Sequence, residues 1–263
     1  MASRRPYLDR TPIALAHRGG ALYEPNLGLE NTLTAFRNAV ALGYTHLETD
    51  VHATRDGRLV AFHDDRLDRL ADRPGRIRDL TLAEVRQARI QRGEHVPLLS
   101  EVLDALPGVN LNIDLKAPHT GSLLWELIEQ RGLHDQMCVG SFAQREINAF
   151  RKISAGRVAT AAAQPGTALM RFGPAALSRL LRTPADVFQV PPTHVVAGRL
   201  VTVVTPKLIE AAHRFGKQVH VWTVDDPDEM HRFLDLGVDG LVSDRIDVLK
   251  DVLTQRGQWT GAS

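Results

Sequence analysis

The residues with the most to offer chemically lie in a few short clusters. His17, Arg18, Gly19 and Gly20 follow one another. Glu48 and Asp50 are two positions apart, and so are Asp114 and Lys116. His63 is followed at once by Asp64. A spacing of two puts both side chains on one face of a β-strand. Carboxylates gathered that way repel one another if left unpaired. One such pair alone reads as a surface salt bridge. Glu48, Asp50 and Asp114 together, at the ends of neighbouring strands, argue instead for a hard divalent cation, which takes oxygen ligands. Arg18 brings a rigid fork of donors suited to phosphate oxygens. Gly19-Gly20 permits close approach of the backbone to a ligand. Asp64 is placed to orient the ring of His63. Two histidines and a metal supply an acid, a base and an electrophile. That set suits cleavage of a phosphodiester, in which the leaving alkoxide needs a proton.

These clusters need a frame that brings them together. Short apolar runs alternate with longer helical patterns, which signals βαβ units and a parallel sheet. Strands are expected at Ile13–His17, His46–Val51, Leu111–Leu115, Met137–Gly140, Val158–Ala161, Val187–Val190, Gln218–Val224 and Gly240–Ser243. Helices are expected at Glu30–Leu42, Ser122–Gln130, Gln144–Lys152, Ala168–Leu181, Pro206–Phe215, Asp228–Leu236 and Asp247–Leu253. Gly43 closes the first helix as a C-cap. The rhythm breaks between Ala53 and Pro107. There the turn Arg55-Asp56-Gly57-Arg58 leads into a short strand, Leu59–His63, and a tight detour of short strands through Asp64–Arg78. Two short helices follow, Thr81–Ala88 and Ser100–Leu106, the first with Thr81 and Glu84 set as a capping box. This stretch reads as an insertion whose apolar content is too thin for an independent core. The expected fold is therefore an α/β (β/α)₈ TIM barrel with a small insertion after the second strand, one domain over residues 1–263. A chain of 263 residues matches the roughly 250 that such a barrel takes. Active sites of these barrels lie at the C-terminal strand ends, which is where His17, Glu48, Asp50, Asp114, Lys116, Trp222 and Asp244 fall.

Composition excludes several classes. The net charge is +1 and the basic residues are dispersed, so a nucleic-acid partner finds no support. No apolar run approaches the roughly 20 residues that span a bilayer. The start of the chain, Met1–Pro12, lacks the apolar core of a secretory signal. The single cysteine, Cys138, cannot form an internal disulfide and lies in the apolar run Met137–Val139, consistent with a buried residue in a reducing compartment. Cytoplasmic location is the expectation. No zinc-spaced Cys/His cluster, GxGxxG or Walker loop is present, and Gly140-Ser141-Phe142 lacks the nucleophile-elbow pattern of a serine hydrolase. His46 and His220 lie within strands and read as core groups. His52 follows the carboxylate pair with no role assigned. His95, His119, His134, His194, His213 and His231 read as solvated.

Several motifs stand in a familiar order: AHRGG (16–20), ENTLTAF (30–36), LETDVHATRDGRLVAFHD (47–64), VPLLSEVL (96–103), NIDLKAP (112–118), GSF (140–142), VHVWTVDD (219–226) and GVDGLVSDR (237–245). The sequence resembles the bacterial glycerophosphodiester phosphodiesterases over almost its whole length. That resemblance implies a phosphoric diester hydrolase that converts glycerophosphodiesters to glycerol 3-phosphate and an alcohol. It implies one divalent cation, Mg²⁺ or Ca²⁺ with Mn²⁺ also fitting, held by Glu48, Asp50 and Asp114. It makes His17 and His63 the acid–base pair. Arg18 and Lys116 would bind the phosphate, Trp222 would line the pocket beside the alcohol, and Glu30 would buttress the site. Leu29 stands where the family usually has proline, the loop from Gly20 to Leu29 is longer than usual, and Asp114 replaces a frequent glutamate. Two other readings compete: a lysophospholipase-D-type enzyme acting on lipids, for which Leu169–Phe172 would be a short apolar contact, and a catalytically silent phosphate binder. The partner expected is a small phosphodiester; oligomeric state is left open.

Overall fold

The structure is a computed structural model that describes residues 5–163, 183–196 and 198–262. The helix expected at Ala168–Leu181 and the apolar stretch Leu169–Phe172 lie outside these residues.

Eight parallel strands form the barrel wall. In chain order they are β1 (Ile13–Ala16), β2 (His46–Ala53), β4 (Asn110–Leu115), β5 (Met137–Gly140), β6 (Ala159–Thr160), β7 (Val187–Val190), β10 (Gln218–Val221) and β11 (Gly240–Ser243). Their order in the sheet is β6-β5-β4-β2-β1-β11-β10-β7. A parallel bridge between Ala161 and Val187 joins the two ends of that path, with the Ala162 N–H donating to the Val187 carbonyl at 2.9 Å. The seam is short because β6 is short, and the barrel is nearly closed.

Among the described residues, three further strands lie outside this wall. A short strand, β3 (Leu59–Ala61), pairs antiparallel with the end of β2. Past β7, β8 (Thr193–Val196) and β9 (Arg199–Thr202) form an antiparallel hairpin. The hairpin had no counterpart among the expected elements.

The wall is built by period-two alternation. On β2, Leu47 and Val51 face the surrounding helices and join the main apolar cluster. Their neighbours His46, Glu48 and Asp50 are buried polar residues of the other face. On β4, Leu111, Ile113 and Leu115 belong to the same outer cluster, which leaves Asn112, Asp114 and, just beyond, Lys116 inside. A side-chain amide pair, Asn112 with Gln189, crosses the interior at 2.8 Å. Below it Tyr7, Cys138, Ala159, Ala161 and Val187 pack together as a separate apolar cluster, so Tyr7 seals the bottom of the barrel. Gly240 has no side chain because the His220 ring and the Ile13 carbonyl would lie 2.8 and 3.0 Å from a Cβ there.

The helices that cover the wall include α1 (Leu33–Ala41), α4 (Thr120–Arg131), α5 (Gln144–Ile153), α6 (Pro206–Arg214), α7 (Pro227–Asp235) and α8 (Ile246–Gln255), with the short α2 (Leu82–Val85) and α3 (Leu99–Ala105) in the insertion. The first helix begins three residues later than its periodicity suggests. Asn31 has a left-handed φ of 59°, which the helix cannot continue through, and the Thr32 hydroxyl caps the new start by accepting from the Ala35 N–H. The capping box at Thr81 and Glu84 forms as read.

Two expectations about the insertion change. Asp64–Arg78 is built of turns and single-turn helices with two isolated bridges, Arg66 to Arg76 and Ala71 to Ile90, instead of a set of short strands. The insertion also has its own apolar cluster, including Val60, Phe62, Leu67, Ile77, Val85, Ile90 and Val96. Leu29 and Ala35 of the barrel share it, so the insertion is packed onto the loop that precedes α1.

Candidate active site

Each histidine of the proposed pair ends a strand and is anchored by a carboxylate. His17 follows β1, and its Nδ1 lies 2.8 Å from an Asp244 carboxylate oxygen at the end of β11. Asp225 steadies that partner: its carboxylate accepts from the Ser243 hydroxyl at 2.9 Å and the Asp244 N–H at 2.8 Å. His63 follows β3, and its Nδ1 lies 2.6 Å from the Asp64 carboxylate. His52 supports this second histidine from below, through a contact of 3.1 Å between its Nε2 and the His63 carbonyl oxygen.

The turn after β1 is tightly constrained. Arg18 sits at φ 52°, a left-handed conformation costly for arginine. Its backbone N–H donates to Glu48 Oε2 at 3.1 Å. The adjacent glycines also meet a packing requirement. A Cβ on Gly19 would lie 2.9 Å from the Ala35 Cβ, and one on Gly20 would lie 2.6 Å from the Ile246 side chain. Both also have φ near 90°. They let the turn press against α1 and α8, which sets the direction of His17 and Arg18.

Charge governs the centre of the mouth. Lys116 Nζ lies 2.9 Å from Asp50 Oδ1 and 2.7 Å from Asp114 Oδ2. Burial disfavours its charge, but the two carboxylates outweigh that and raise its pKa. Asp50 is likewise buried, yet Lys116 and Arg18 hold its pKa below the usual carboxylate value. Arg18 Nε is 3.5 Å from Asp50 Oδ2, and Asn31, in its left-handed conformation, donates to the same oxygen at 3.1 Å. Glu48 is the contrasting group. Burial, and then repulsion from Asp50, push its pKa up to about 8. His17 Nε2 is 3.8 Å from Glu48. For His17, burial acts against the charged ring, but Glu48 and Asp244 overcome it and raise the pKa.

The expected residues thus come together, with one qualification in their arrangement. Among the described residues no group of three or more His, Cys, Asp and Glu side chains gathers closely enough to hold a metal ion. Lys116 stands between Asp50 and Asp114 instead. The donor chemistry nonetheless fits a hard cation, since buried carboxylate oxygens from adjacent strands are what such an ion takes. Glu48, whose carboxyl burial and Asp50 push toward the neutral form, is a group whose ionised form gains from an added positive charge.

Trp222 follows β10 and meets Phe142 edge-on, with ring centroids 5.6 Å apart. Lys116 Nζ is 5.4 Å from the centroid of Phe142. Phe142 is half exposed and is an aromatic wall that the sequence reading did not assign. Glu30 accepts from Arg18 Nη1 at 3.1 Å. Arg69, also unassigned, reaches Glu30 and Asp64 together. His46 and His220 are core groups as read: burial lowers their pKa to about 4 and about 3. His46 Nε2 lies 3.1 Å from the Tyr7 carbonyl oxygen. His220 has Gln218 at Nε2 but leaves Nδ1 without a partner.

Comparison with known proteins follows the same lines. The sequence profile of the Glycerophosphoryl diester phosphodiesterase family matches residues 17–248. A Mycobacterium tuberculosis protein named "Probable glycerophosphodiester phosphodiesterase 2" is 38% identical over 95% of this chain and 94% of its own. A glycerophosphodiester phosphodiesterase of Caldanaerobacter subterraneus is 27% identical over 93% and 99%. Among solved structures, a phosphodiesterase of Oleispira antarctica in complex with the product sn-glycerol-3-phosphate superposes with a TM-score of 0.77 at 23% identity, covering 93% of this chain and 97% of that one. A Silicibacter pomeroyi structure gives 0.77 at 22% identity, covering 95% of both chains. These structures establish the barrel fold.

Asp64 yields a prediction about stability. The hydrogen bond from Arg69 is the largest of the influences that hold its pKa down to about 2, against 3.8 ordinarily. A carboxylate with a depressed folded-state pKa stabilises the protein above its unfolded pKa, and that contribution disappears as pH falls through the folded value. Wild type should therefore exceed Asp64→Asn in melting temperature above about pH 4, with the two curves converging toward pH 2. Parallel curves across that window would contradict the assigned ion pair.

Proposed function

The chain belongs to the glycerophosphoryl diester phosphodiesterase family and is a phosphoric diester hydrolase, and from that premise we propose that its barrel mouth converts glycerophosphodiesters to glycerol 3-phosphate and an alcohol with His17 and His63 as acid and base. The observation that carries this reading is the matched anchoring of the two rings. Each Nδ1 is tied to a carboxylate, at 2.8 Å in His17 and 2.6 Å in His63. Such a tie fixes ring orientation and tautomer, and leaves Nε2 for proton transfer.

The substrate phosphate is negative and needs donors. Arg18 Nε is buried and makes no hydrogen bond, so its fork retains capacity for a non-bridging oxygen. Lys116 adds a second positive group beside it. One imidazole takes a proton from the attacking water or substrate hydroxyl. The other gives a proton to the oxygen that leaves when the P–O bond breaks. Phe142 and Trp222 are read as the wall beside the alcohol portion. Glu30 holds Arg18 through its carboxylate. The insertion belongs to the same domain in this reading, and the single buried cysteine accords with a cytoplasmic setting.

Dependence on a divalent metal is general in the family. Glu48, Asp50 and Asp114 would hold the ion, and Mg²⁺, Ca²⁺ and Mn²⁺ all suit oxygen donors. Once bound it supplies Lewis-acid stabilisation of charge on the phosphoryl oxygens. Exhaustive chelation should abolish hydrolysis and added divalent cation should restore it. Full activity in protein with no measurable metal would remove the ion from the account.

The histidine roles are tested by leaving group. His17→Ala and His63→Ala should each lower kcat by about 10²–10⁴-fold on an alkyl diester, with the fold retained by circular dichroism. A p-nitrophenyl ester needs no proton on departure. It should rescue the variant lacking the acid and leave the variant lacking the base impaired. Equal losses on both substrates would overturn the division of roles. Losses of only a few-fold in both variants would make the histidines structural.

A further inference from the structure

Beyond His63 and Asp64, the insertion sends a third side chain toward the site from outside the barrel wall. Arg69 closes a single helical turn, Leu67–Arg69. Leu67 is 1% exposed within the insertion's apolar cluster. The Leu67 N–H donates to the Gly75 carbonyl at 2.9 Å, so the base of the arginine is fixed. Its guanidinium grips two carboxylates with two contacts each. Nε and Nη2 donate to Asp64 at 2.6 and 3.2 Å. Nη1 and Nη2 donate to Glu30 at 3.1 and 2.7 Å.

Neither carboxylate is idle. Asp64 is the partner of His63 Nδ1, and Glu30 is the partner of Arg18 Nη1. The result is an unbroken chain of polar contacts: Arg18, Glu30, Arg69, Asp64, His63. We propose that Arg69 is a positioning residue of the active site, a clamp by which the insertion sets the geometry of His63 and Arg18 together. The proposal deepens the hydrolytic reading above and rests on it for the roles of those two residues.

An exposed ion pair would ordinarily count for little, and the Arg69 side chain is 46% exposed. Three features separate this case. The carboxylates are more buried than the arginine, at 12% for Glu30 and 27% for Asp64. Both contacts are bidentate, which fixes angle as well as distance. Without the guanidinium, two like charges would face each other with nothing between them, and each would carry its functional partner away. A lysine would keep the charge but cannot span both carboxylates with a planar fork.

The test compares Arg69→Ala and Arg69→Lys with wild type. Loss of a group that orients a catalytic partner typically costs about 10–100-fold, and kcat/KM should fall by that much in both variants with the fold retained by circular dichroism. In an Asp64→Asn background, Arg69→Ala should cost clearly less than it does in wild type, because only the Glu30 arm of the clamp is then left to lose. Independently of turnover, the downfield imidazole N–H proton resonance of His63, identified by its disappearance in His63→Ala, should broaden or shift in both Arg69 variants. An unchanged His63 resonance overturns the proposal whatever the kinetics. So do kinetics within about twofold of wild type, or fully additive losses in the double variant. If wild type itself fails to hydrolyse glycerophosphodiesters, the functional reading fails, and the resonance alone then decides the clamp.

Discussion

Everything at the barrel mouth depends on how buried negative charge is balanced. Glu48, Asp50 and Asp114 lie on adjacent strands with little access to water. Carboxylates so placed cannot all ionise unless cations share the space. Lys116 and Arg18 hold Asp50 ionised but only partly offset the burial and the Asp50 repulsion that push Glu48 up to about 8. Removing one partner of a buried ion pair costs about 3–5 kcal/mol, because the survivor stays buried without compensation. Lys116, 17% exposed between two carboxylates, is under that constraint. A site in which burial still pushes two carboxyls, Glu48 and Asp114, toward their neutral forms is prepared for a cation and for a ligand whose own binding alters the balance.

The fold exists to hold this imbalance in place. Period-two alternation sends Leu47 and Val51 outward and Glu48 and Asp50 inward on the same strand. Parallel pairing of β2 with β4 sets Asp50 opposite Asp114. The glycine turn after β1 presses on Ala35 and Ile246, and this directs Arg18 back toward Glu48. Both histidines stand at the rim of the same charged centre, His17 beside Glu48 and His63 on the insertion. Carboxylate partners on Nδ1 give the two rings equivalent anchorage from opposite ends of the chain.

Much of this was legible in the sequence, for identifiable reasons. Met137–Gly140, Val187–Val190 and Gly240–Ser243 form strands with the bounds read from their apolar runs. Buried parallel strands are short and apolar, so they stand out. The paired spacing of Glu48 with Asp50, and the HD of His63-Asp64, survive in one dimension because strand geometry and adjacency are local. What failed to show was non-local. His17 and Asp244 are 227 residues apart, and nothing in the chain joins them before it folds. Arg69 looked like one more arginine in a charged loop. The insertion's core was underestimated because Leu67 and Ile77 stand singly among charged residues, without the period of a helix or strand. The hairpin at Thr193–Thr202 was missed for a related reason: Val195 and Leu200, exposed at 59% and 72%, form no buried face to read.

The central claim is that this charged mouth directs cleavage to the bond between phosphorus and the alcohol, leaving the phosphate on glycerol. The most direct measurement is ³¹P NMR of the products formed from sn-glycero-3-phosphocholine by the purified protein with divalent cation present. The account predicts a single phosphorus product, glycerol 3-phosphate, together with free choline in equal amount. Phosphocholine with free glycerol, or an unaltered substrate signal, would contradict it.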